Sequence, residues 1–453
     1  MTVVFVAAKV CLLFTVLVLL LYAIRHYFLV FARLRLRRPR DVMELTGFYM
    51  PSVSVLVPMH NEEKVAADLL EALVAVDYDR DRLEVIAIDD RSEDATGRII
   101  DEYAARYPFI KALHREHGNG GKAGALKRAT ERAMGEVVLL FDADYVPGRS
   151  MLKQLVAPFC DPEVGAVMGR VVPHNTGSSL LAAMLSLERA AGYQIGQQAR
   201  FNLGLTPQFG GTVGGVRLAA LKAAGGWNAE SLTEDTDLTF RMVAQGWKVA
   251  YVNRAECYEE VPESWEVRKR QIARWAIGHT DCFHRLSAAV LRSQWLSGTE
   301  KLDAVFVLAC YLTAPVLVLG WLASLILFFS PENQLAPALA VALAFTGYQI
   351  FGNQATFFEL GAAALLDGKG RSVLLIPLNL FNFFASTAAI CQALGRFYFG
   401  KLYGSSGPGW HKTKRFRTNG QGNGFRNGNS NGHGTKNGHY TQRANGLYTF
   451  SLW

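Results

Sequence analysis

Two aspartates separated by one residue, Asp142 and Asp144, stand directly after an apolar run at 137–141. Residues spaced by two lie on the same side of an extended chain, so both carboxylates can point to one place. Two hard oxygen ligands of this kind suit Mg2+ or Mn2+, which takes its remaining ligands from water and phosphate. The alternative is that both side chains are simply solvated. The apolar run before them favours a metal at the end of a buried strand.

A second acidic pair, Asp89 and Asp90, ends an apolar run at 85–88 and is followed by Ser92. At the carboxyl edge of an α/β sheet such acceptors hold the base and ribose hydroxyls of a nucleotide. The alternative is that Ser92 caps a helix that begins near Glu93, with the aspartates close to its positive end. The motif alone is compatible with both.

Between the two acidic pairs lies the run Asn-Gly-Gly-Lys-Ala-Gly at 119–124. Small residues allow close approach to the backbone, and Lys122 opens a helix whose amino end favours anions. This combination suits a diphosphate. The run lacks both the spacing and the Lys-Ser/Thr pair of a Walker loop, which disfavours a nucleotide-hydrolysing P-loop protein.

Further along, Thr233, Glu234, Asp235 and Asp237 open a helix that runs to 245. Thr233 is the expected N-cap, and acidic residues in a first turn are ordinary helix chemistry. The alternative is that Asp235 acts as a general base from a fixed helix start. A group transfer to a sugar hydroxyl needs such a base, because the hydroxyl is too weak an acid to attack without one.

A basic and aromatic motif, Gln-Ile-Ala-Arg-Trp, occupies 271–275. Helical spacing places Gln271, Arg274 and Trp275 on adjacent faces. Arg274 could pair with a diphosphate leaving group, and Trp275 could stack on a sugar. The alternative is that both side chains anchor the helix at a membrane interface.

The elements that must position these residues alternate between strand and helix. Short Val-, Ile- and Leu-rich runs predict strands at 53–57, 83–88, 136–141 and 164–172. Helical patterns fall between or after them, near 62–74, 94–106, 122–134 and 150–159. Strands of continuous apolar residues separated by helices predict an α/β fold with a doubly wound, mainly parallel sheet. Ligands of such sheets bind beyond the carboxyl ends of the strands, where the motifs stand.

The composition indicates a folded protein with membrane segments. Half of the 453 residues are hydrophobic and 19% are charged, which excludes a disordered chain, a collagen and a small disulfide-stapled domain. The formal net charge is +8, and the basic clusters flank apolar segments, so anionic lipids are expected partners and nucleic acid is not. Six cysteines without a Cys-x-x-Cys pair indicate reduced thiols and no zinc site.

Apolar runs predict where the chain meets the membrane. The run at 2–30 is long enough to cross a bilayer and is expected to be an uncleaved membrane helix. The arginines at 33–40 place its end in the cytoplasm. Further apolar spans are predicted at 304–329, 335–366 and 373–399. The basic run at 412–417 favours a cytoplasmic carboxyl end, so one span is re-entrant or 335–366 crosses twice.

In this order, and behind a membrane helix, the four motifs resemble those of the membrane-embedded family 2 glycosyltransferases, the group that contains cellulose, chitin, hyaluronan and β-mannan synthases. The resemblance covers about 52–277, with weaker likeness in the membrane part. It implies the GT-A fold, in agreement with the doubly wound sheet. Phe-Gly-Gly-Thr at 209–212 and Gly-Gly-Trp at 225–227 are also similar to that family's acceptor-side loop and to the turn before its catalytic Thr-Glu-Asp.

The resemblance implies roles for the matching residues, with Asp235 as the catalytic base. Nucleotide-sugar binding is implied for Asp89, Asp90, Lys122, Asp142, Asp144, Gln271 and Arg274, and Asp142 and Asp144 would also hold Mg2+ or Mn2+. Acceptor binding is implied for Gly211, Thr212, Glu234 and Trp275. A segment with Trp410, Thr413 and Arg415 is similar to the gating loop of processive members. Tyr145 stands where cellulose synthases carry histidine, and Lys127 where many relatives carry asparagine.

We therefore expect an inverting, processive enzyme that uses UDP-glucose to make a β-linked polysaccharide, with UDP-N-acetylglucosamine and GDP-mannose as the next donors. The alternative is a transferase that adds a sugar to a membrane lipid. A channel or binding protein with a degenerate nucleotide domain would require the acidic strand ends to be incidental. The expected location is the cell (inner) membrane, crossed several times, with the catalytic domain in the cytoplasm; the partners are a nucleotide sugar, a carbohydrate or lipid acceptor, and membrane lipids.

The expected segments follow from the same motifs and apolar runs. They are a membrane helix at 1–31, a catalytic domain at 50–262, interface helices at 263–300, a membrane domain at 301–400, a gating-like segment at 401–417 and a disordered Gly/Asn-rich tail at 418–453.

Overall fold

The computed structural model describes residues 2–36, 46–118, 121–329 and 354–402. The strands in these ranges are β1 (Val53–Met59), β2 (Leu83–Asp89), β3 (Ile110–His114), β4 (Val137–Leu140), β5 (Val164–Pro173), β6 (Gly214–Arg217) and β7 (Lys248–Glu259). They form one sheet in the order β3-β2-β1-β4-β6-β5-β7. Neighbours are parallel except at β6, which runs antiparallel to both β4 and β5. The mainly parallel α/β sheet predicted from the sequence is confirmed.

Helices precede, cover and follow this sheet. They are α1 (Thr2–Arg35), α2 (Ala66–Val74), α3 (Thr96–Arg106), α4 (Gly121–Thr130), α5 (Met151–Val156), α6 (Leu180–Ala190), α7 (Gln198–Asn202), α8 (Leu218–Ala223), α9 (Glu234–Ala244), α10 (Trp265–Arg292), α11 (Gly298–Leu308), α12 (Thr313–Phe328), α13 (Gln354–Leu366) and α14 (Asn379–Leu402). A π-helical segment, Ala191–Gln197, joins α6 to α7. The helices predicted near 62–74, 94–106, 122–134 and 150–159 all occur, although each is shorter than predicted.

The four predicted strands, β1, β2, β4 and β5, lie inside the sheet because their residues are apolar on both faces. In β1, β2 and β4 almost every side chain is buried. Three further strands were not predicted. β3 and β7 end the strand order and mix polar with apolar residues. β6 is only four residues long and begins Gly-Gly, since a Cβ at Gly215 would lie 2.4 Å from the side chain of Leu139.

Three helices in the described parts of the chain are long and apolar enough to cross a membrane: Val3–Arg35, Cys310–Phe328 and Gly370–Gly400. They correspond to three of the four predicted spans. Of the fourth, 335–366, residues 335–353 lie outside the described residues, and the remainder is the short apolar helix α13. Of the predicted gating-like segment 401–417, residues 403–417 lie outside them, with Trp410, Thr413 and Arg415, and so does the predicted tail 418–453.

Buried ion pairs join the end of α1 to the rest of the chain. Arg25 Nε lies 2.8 Å from Asp303 Oδ1 in α11, and Arg200 Nε of α7 lies 3.2 Å from Asp303 Oδ2. A hydrogen bond also joins His26 to Glu359 of α13. A carboxylate between two guanidinium groups offsets the cost of burying charge, so α1 is fixed against α7, α11 and α13.

Candidate active site

The carboxyl ends of β1 and β2 meet because the two strands pair in parallel register, with Met59 opposite Asp89. Asp89 ends β2, and its Oδ1 accepts a hydrogen bond from the Ser92 amide at 3.0 Å. Its Oδ2 lies 3.2 Å from His114 Nδ1. The ring of His114 is also hydrogen-bonded to Asp101, and these two carboxylates raise the pKa of His114 above its ordinary value. Asp89 is therefore held in place at the sheet edge.

The neighbouring Asp90 is 5% exposed and belongs to a cluster of charges. Its Oδ1 lies 2.9 Å from Arg115 Nε and 3.0 Å from Arg91 Nε. Arg91 has a left-handed backbone, with φ +61°. Because two guanidinium groups pair with this one buried carboxylate, Asp90 stabilises the loop after β2.

A polar turn after β1 shares this edge and was missed in the sequence analysis. The backbone N–H of Asn61 donates to Ser92 Oγ at 2.9 Å, and the side-chain Oδ1 of Asn61 accepts from the backbone N–H of Glu93 at 2.7 Å. His60 Nδ1 lies 2.7 Å from the Asp90 carbonyl. Ser92 therefore ties two loops together, and the alternative that it caps α3 is wrong, because that helix begins at Thr96. The signal in the sequence was His-Asn-Glu directly after an apolar strand.

Lys122 is the centre of a second cluster, at the start of α4. Its Nζ lies 2.7 Å from Asp142 Oδ1 and 3.5 Å from Glu234 Oε1, and it donates to the Gly211 carbonyl at 3.0 Å. Burial disfavours the charged ammonium, but the carboxylates of Asp142 and Glu234 outweigh it and raise the pKa of Lys122. The lysine is therefore a fixed positive charge where β4, α4 and α9 meet.

The loop before β6 closes this cluster from one side. Thr212 Oγ1 accepts from the Asp142 amide at 3.1 Å. Gly211 has φ +70°, and a Cβ there would lie 3.0 Å from Asp235 Cβ. Val213 has φ +46°, a conformation that strains a β-branched residue. The loop therefore approaches Asp142 and Asp235 closely, and side chains larger than glycine at 211 would push it away.

Glu234 and Asp235 form the first turn of α9. Burial raises the pKa of Glu234, and repulsion by Asp235 adds to this although Lys122 opposes it. Burial also raises the pKa of Asp235, against the opposing effects of the Thr236 amide, Lys122 and Arg274. A carboxylate with a raised pKa is a better proton acceptor than one in water, so Asp235 has the chemistry of a general base. Thr233 occupies the N-cap position, but its side chain makes no capping hydrogen bond.

The Gln-x-x-Arg-Trp motif lies in the first half of α10, and its three residues have different partners. Arg274 Nη1 donates to the Leu232 carbonyl at 3.0 Å, directly before α9. Gln271 Oε1 accepts from Arg268 Nη1 at 2.9 Å. The guanidinium of Arg268 lies 5.4 Å from the centre of the Trp275 ring. The motif therefore places Arg274 beside the α9 cluster and holds Gln271 and Trp275 through Arg268.

A further arginine, missed in the sequence analysis, holds the same ring. Arg189 lies 5.3 Å from the centre of the Trp275 ring, and its Nε donates to Glu259 Oε1 at 2.6 Å. Tyr145 Oη donates to Glu259 Oε2 at 2.8 Å. Tyr145 directly follows Asp144, so Glu259 links the Asp-x-Asp turn to Trp275. No spacing in the sequence indicates this link, because Tyr145 and Glu259 are 114 residues apart.

The Asp-x-Asp pair fits a divalent cation that shares its coordination with a substrate. Asp142 is 29% exposed at its side chain, while Asp144 is 4% exposed. In the described residues no group of three or more His, Cys, Asp or Glu side chains gathers into a protein-only metal site. Two carboxylates are enough protein ligands for Mg2+ or Mn2+ when phosphate oxygens and water complete its shell.

The structure thus gathers Lys122, Asp142, Gly211, Thr212, Glu234, Asp235 and Arg274 around the start of α9. Asp89 and Asp90 lie at the end of β2, which β1 separates from β4, and Gln271 and Trp275 lie on α10. Trp410, Thr413 and Arg415 lie outside the described residues.

Comparisons with known proteins agree on one family. Residues 51–278, half of the chain, match the family described as glycosyltransferase like family 2. The probable glycosyltransferase YdaM of Bacillus subtilis is 35% identical over 51% of this chain and 56% of its own length. A β-monoglucosyldiacylglycerol synthase of Synechocystis is 34% identical over 50% of this chain and 48% of its own. A probable glucomannan 4-β-mannosyltransferase of Arabidopsis thaliana is 26% identical over 65% and 57%.

Among solved structures, the mannosyltransferase PcManGT from Pyrobaculum calidifontis, in complex with GDP-Man and Mn2+, superposes with a TM-score of 0.53. It is 23% identical, and the match covers 80% of this chain and 97% of that one, so it supports the GT-A-like fold. This chain spans about half the length of the curated relatives it matches. With the fold, the family match and the membrane-compatible helices in agreement, the chain belongs to the family 2 glycosyltransferases.

Proposed function

We propose that this enzyme transfers a sugar with inversion from a nucleoside diphosphate sugar to a carbohydrate hydroxyl. The observation that carries the proposal is the cluster around Lys122, which joins Asp142 to the first turn of α9. A carboxylate suited to accept a proton and a cation suited to a diphosphate therefore lie in one connected site. Family membership supports the reaction class.

In the proposed reaction, Asp235 accepts the proton of the acceptor hydroxyl as its oxygen attacks the anomeric carbon. The bond from that carbon to the diphosphate oxygen breaks on the opposite face, and the electron pair leaves with the diphosphate. Lys122 and Arg274 balance its charge. A diphosphate leaves without protonation, so one base suffices, unlike the two carboxylates of glycoside hydrolysis.

The donor would extend from this cluster along the ends of β1 and β2. Asp89 and Asp90 would hold the base and ribose, with the His60–Glu62 turn beside them. Asp142 and Asp144 would hold Mg2+ or Mn2+, which supplies further positive charge to the diphosphate. The mannosyltransferase of the same fold is in complex with GDP-Man and Mn2+, which supports a nucleotide sugar and a divalent cation as the ligands.

We propose that the acceptor is bound by Gly211, Thr212, Glu234 and Trp275. Gln271 is proposed to bind the nucleotide sugar. The favoured product is a β-linked polysaccharide built processively from UDP-glucose, with Trp410, Thr413 and Arg415 acting as a gate. The glucomannan mannosyltransferase relatives support a polymer. The second candidate product is a glycolipid, which the name of a 34% identical relative favours.

We also propose that the chain is a multi-pass protein of the inner membrane and that its catalytic part, 50–262, faces the cytoplasm. The basic residues around 33–40, the interfacial segment 263–300 and the apolar helices of 301–400 support this orientation. Charge bias alone sets the direction, so a cysteine-labelling experiment on each side of sealed vesicles would test it.

The decisive experiment is product analysis with the purified chain in lipid nanodiscs. Labelled UDP-glucose, UDP-N-acetylglucosamine and GDP-mannose are supplied with Mg2+ or Mn2+, and the product is separated by size and by organic extraction. A large aqueous product from one donor supports a polysaccharide synthase, whereas label confined to the organic phase replaces it with the glycolipid alternative. The Asp235→Asn variant is the control: it should bind donor but not transfer, and normal turnover would refute the proposed base.

A further inference from the structure

Two glutamines outside the motifs above make a continuous hydrogen-bonded path to the first turn of α9. Gln208 Nε2 donates to Thr236 Oγ1 at 2.7 Å, and Thr236 is fully buried. The Thr236 amide donates to Asp235 Oδ1 at 2.7 Å, and the Thr236 hydroxyl lies 3.5 Å from the same oxygen. Gln208 is therefore one residue removed from the carboxylate proposed as the base.

Gln208 is in turn held by Gln197, which ends the π-helical segment between α6 and α7. Gln197 Oε1 accepts a hydrogen bond from the backbone N–H of Gln208 at 2.9 Å, and Gln197 Nε2 donates to the backbone carbonyl of Gln208 at 2.7 Å. One side chain thus satisfies both backbone groups of Gln208, as a neighbouring strand would. π-Helical turns inside α-helices often occur at functional sites, and here the turn presents Gln197 to the loop.

The far end of this path is fixed to α11 and α1. Arg200 follows Gln197 by one turn, and its Nη1 lies 3.5 Å from Gln197 Oε1. The same guanidinium pairs with Asp303, which also pairs with Arg25 of α1. The helix that carries Gln197 is therefore restrained by ion pairs, and the loop 208–213 is restrained by Gln197.

We infer that Gln208 and Gln197 are positioning residues for Asp235, acting through Thr236. This inference rests on the proposed function, since it assumes that Asp235 accepts the proton. The side-chain amide of Gln208 fixes the Thr236 hydroxyl. Gln197 holds the backbone of Gln208, and this keeps the Gln208 side chain at that hydroxyl. His279 Nε2 lies 3.2 Å from Thr236 Oγ1 on the other side; burial lowers the pKa of His279 to about 4, so this neighbour is neutral at pH 7.

The test compares kcat with KM in nanodiscs, using whichever of UDP-glucose, UDP-N-acetylglucosamine and GDP-mannose the parent chain turns over. Gln208→Met removes the amide and keeps the approximate side-chain volume. We expect kcat to fall about 10- to 100-fold with the donor KM within about twofold, because the base is displaced while the donor site is not. Gln197→Met should lower kcat in the same way from a different element. Gln198→Met is the matched control, because Gln198 pairs locally with Asn202 and should leave kcat unchanged.

A double-mutant cycle separates positioning from general damage to the fold. Thr236→Ser keeps the hydroxyl and should retain most of kcat, whereas Thr236→Val should lose as much as Gln208→Met. The double variant with Gln208→Met and Thr236→Val should be no slower than either single variant. Additive losses, or a change in donor KM alone, would overturn the inference.

The same set distinguishes this inference from the proposed function. If Asp235→Asn is inactive and both glutamine variants are normal, the base stands and the positioning role falls. If Asp235→Asn turns over normally, the proposed function falls, and the positioning role falls with it. Should Gln208→Met or Gln197→Met fail to fold, Thr236→Val still tests the inference: a normal kcat in that variant would overturn it, because both glutamines are inferred to act through the Thr236 hydroxyl.

Discussion

Two carboxylates of one helical turn are expected to behave in opposite ways when neutralised. Asp235 is proposed as the base, and burial raises its pKa, so its ionised form is disfavoured in the folded state. Asp237, two residues on, is 0% exposed and lies between two guanidinium groups. Asp237→Asn should therefore destabilise the fold, while Asp235→Asn should leave its stability unchanged or increase it and abolish transfer.

The magnitude for Asp237→Asn follows from its partners. Arg241 Nη2 lies 2.5 Å and Arg285 Nη1 2.6 Å from its carboxylate oxygens. Removing one partner of a buried ion pair costs about 3–5 kcal/mol of unfolding free energy. Arg285 keeps Asp281 at 2.7 Å, and Arg241 keeps the Gly226 carbonyl at 2.9 Å, so the lower end applies. About 3 kcal/mol corresponds to a fall in Tm of about 6–12 °C for a unit of this size.

The direction of the stability change in Asp235→Asn follows from the linkage between protonation and folding. An acid whose pKa is raised on folding costs stability as the pH rises from its ordinary value, 3.8, through the raised one, and the cost is complete once the pH lies above the raised pKa. Asparagine removes that cost and keeps an Oδ1 acceptor for the Thr236 amide. The folded state should therefore not lose stability at neutral pH.

The assay is thermal unfolding in nanodiscs, followed by tryptophan fluorescence at one scan rate so that irreversibility affects all variants alike. Donor turnover is measured on the same samples at 20 °C, where Asp237→Asn should remain active. The reasoning would be refuted if Tm fell by less than about 2 °C in Asp237→Asn, or if it fell further in Asp235→Asn than in Asp237→Asn. Either result would mean that Asp237 is not the structural carboxylate of the two.

Three further outcomes are expected. Lys122→Met should lower kcat/KM for the donor about 10- to 1,000-fold, because it removes the positive charge 2.7 Å from Asp142; steady-state donor titrations measure this, and an unchanged value would exclude Lys122 from the donor site. In a pH profile, kcat/KM should fall on the acid side as Asp235 is protonated, with an apparent pKa above 3.8, and a midpoint at or below that value would contradict the burial of the base. Gly215→Ala should destabilise the fold by about 1–3 kcal/mol, since its Cβ would lie 2.6 Å from a carbonyl oxygen of β4, whereas Gly177→Ala, with open space around it, should leave Tm unchanged.

The strands β1, β2 and β4 could be predicted because their signal is local. β1, β2 and β4 are continuous apolar runs, and strands buried on both faces have no other composition available. The acidic residues follow these runs, and the carboxyl ends of neighbouring parallel strands share one edge. The approximate location of Asp89 and Asp142 therefore followed from the order of residues alone.

The antiparallel strand β6 could not be predicted in the same way. Its Gly-Gly-Val-Arg has no strand pattern, and glycine is needed because β4 and β5 leave no room for side chains. Yet β6 is what brings the loop with Gly211 to Lys122. Edge strands β3 and β7 mix polar and apolar residues because one side of each has no partner strand within the described residues.

The sequence by itself determined the family, the α/β sheet and the set of residues that follow its strands, because apolar runs and short motifs are properties of neighbours in the chain. Tertiary structure decided how those residues are used. Asp235 and Asp237 share one motif, and only the packing of Arg241 and Arg285 makes the second a structural residue. Lys122 meets Gly211 across 89 residues, and Tyr145 meets Glu259 across 114. Contacts at such separations depend on how strands and helices pack, and no local spacing records them.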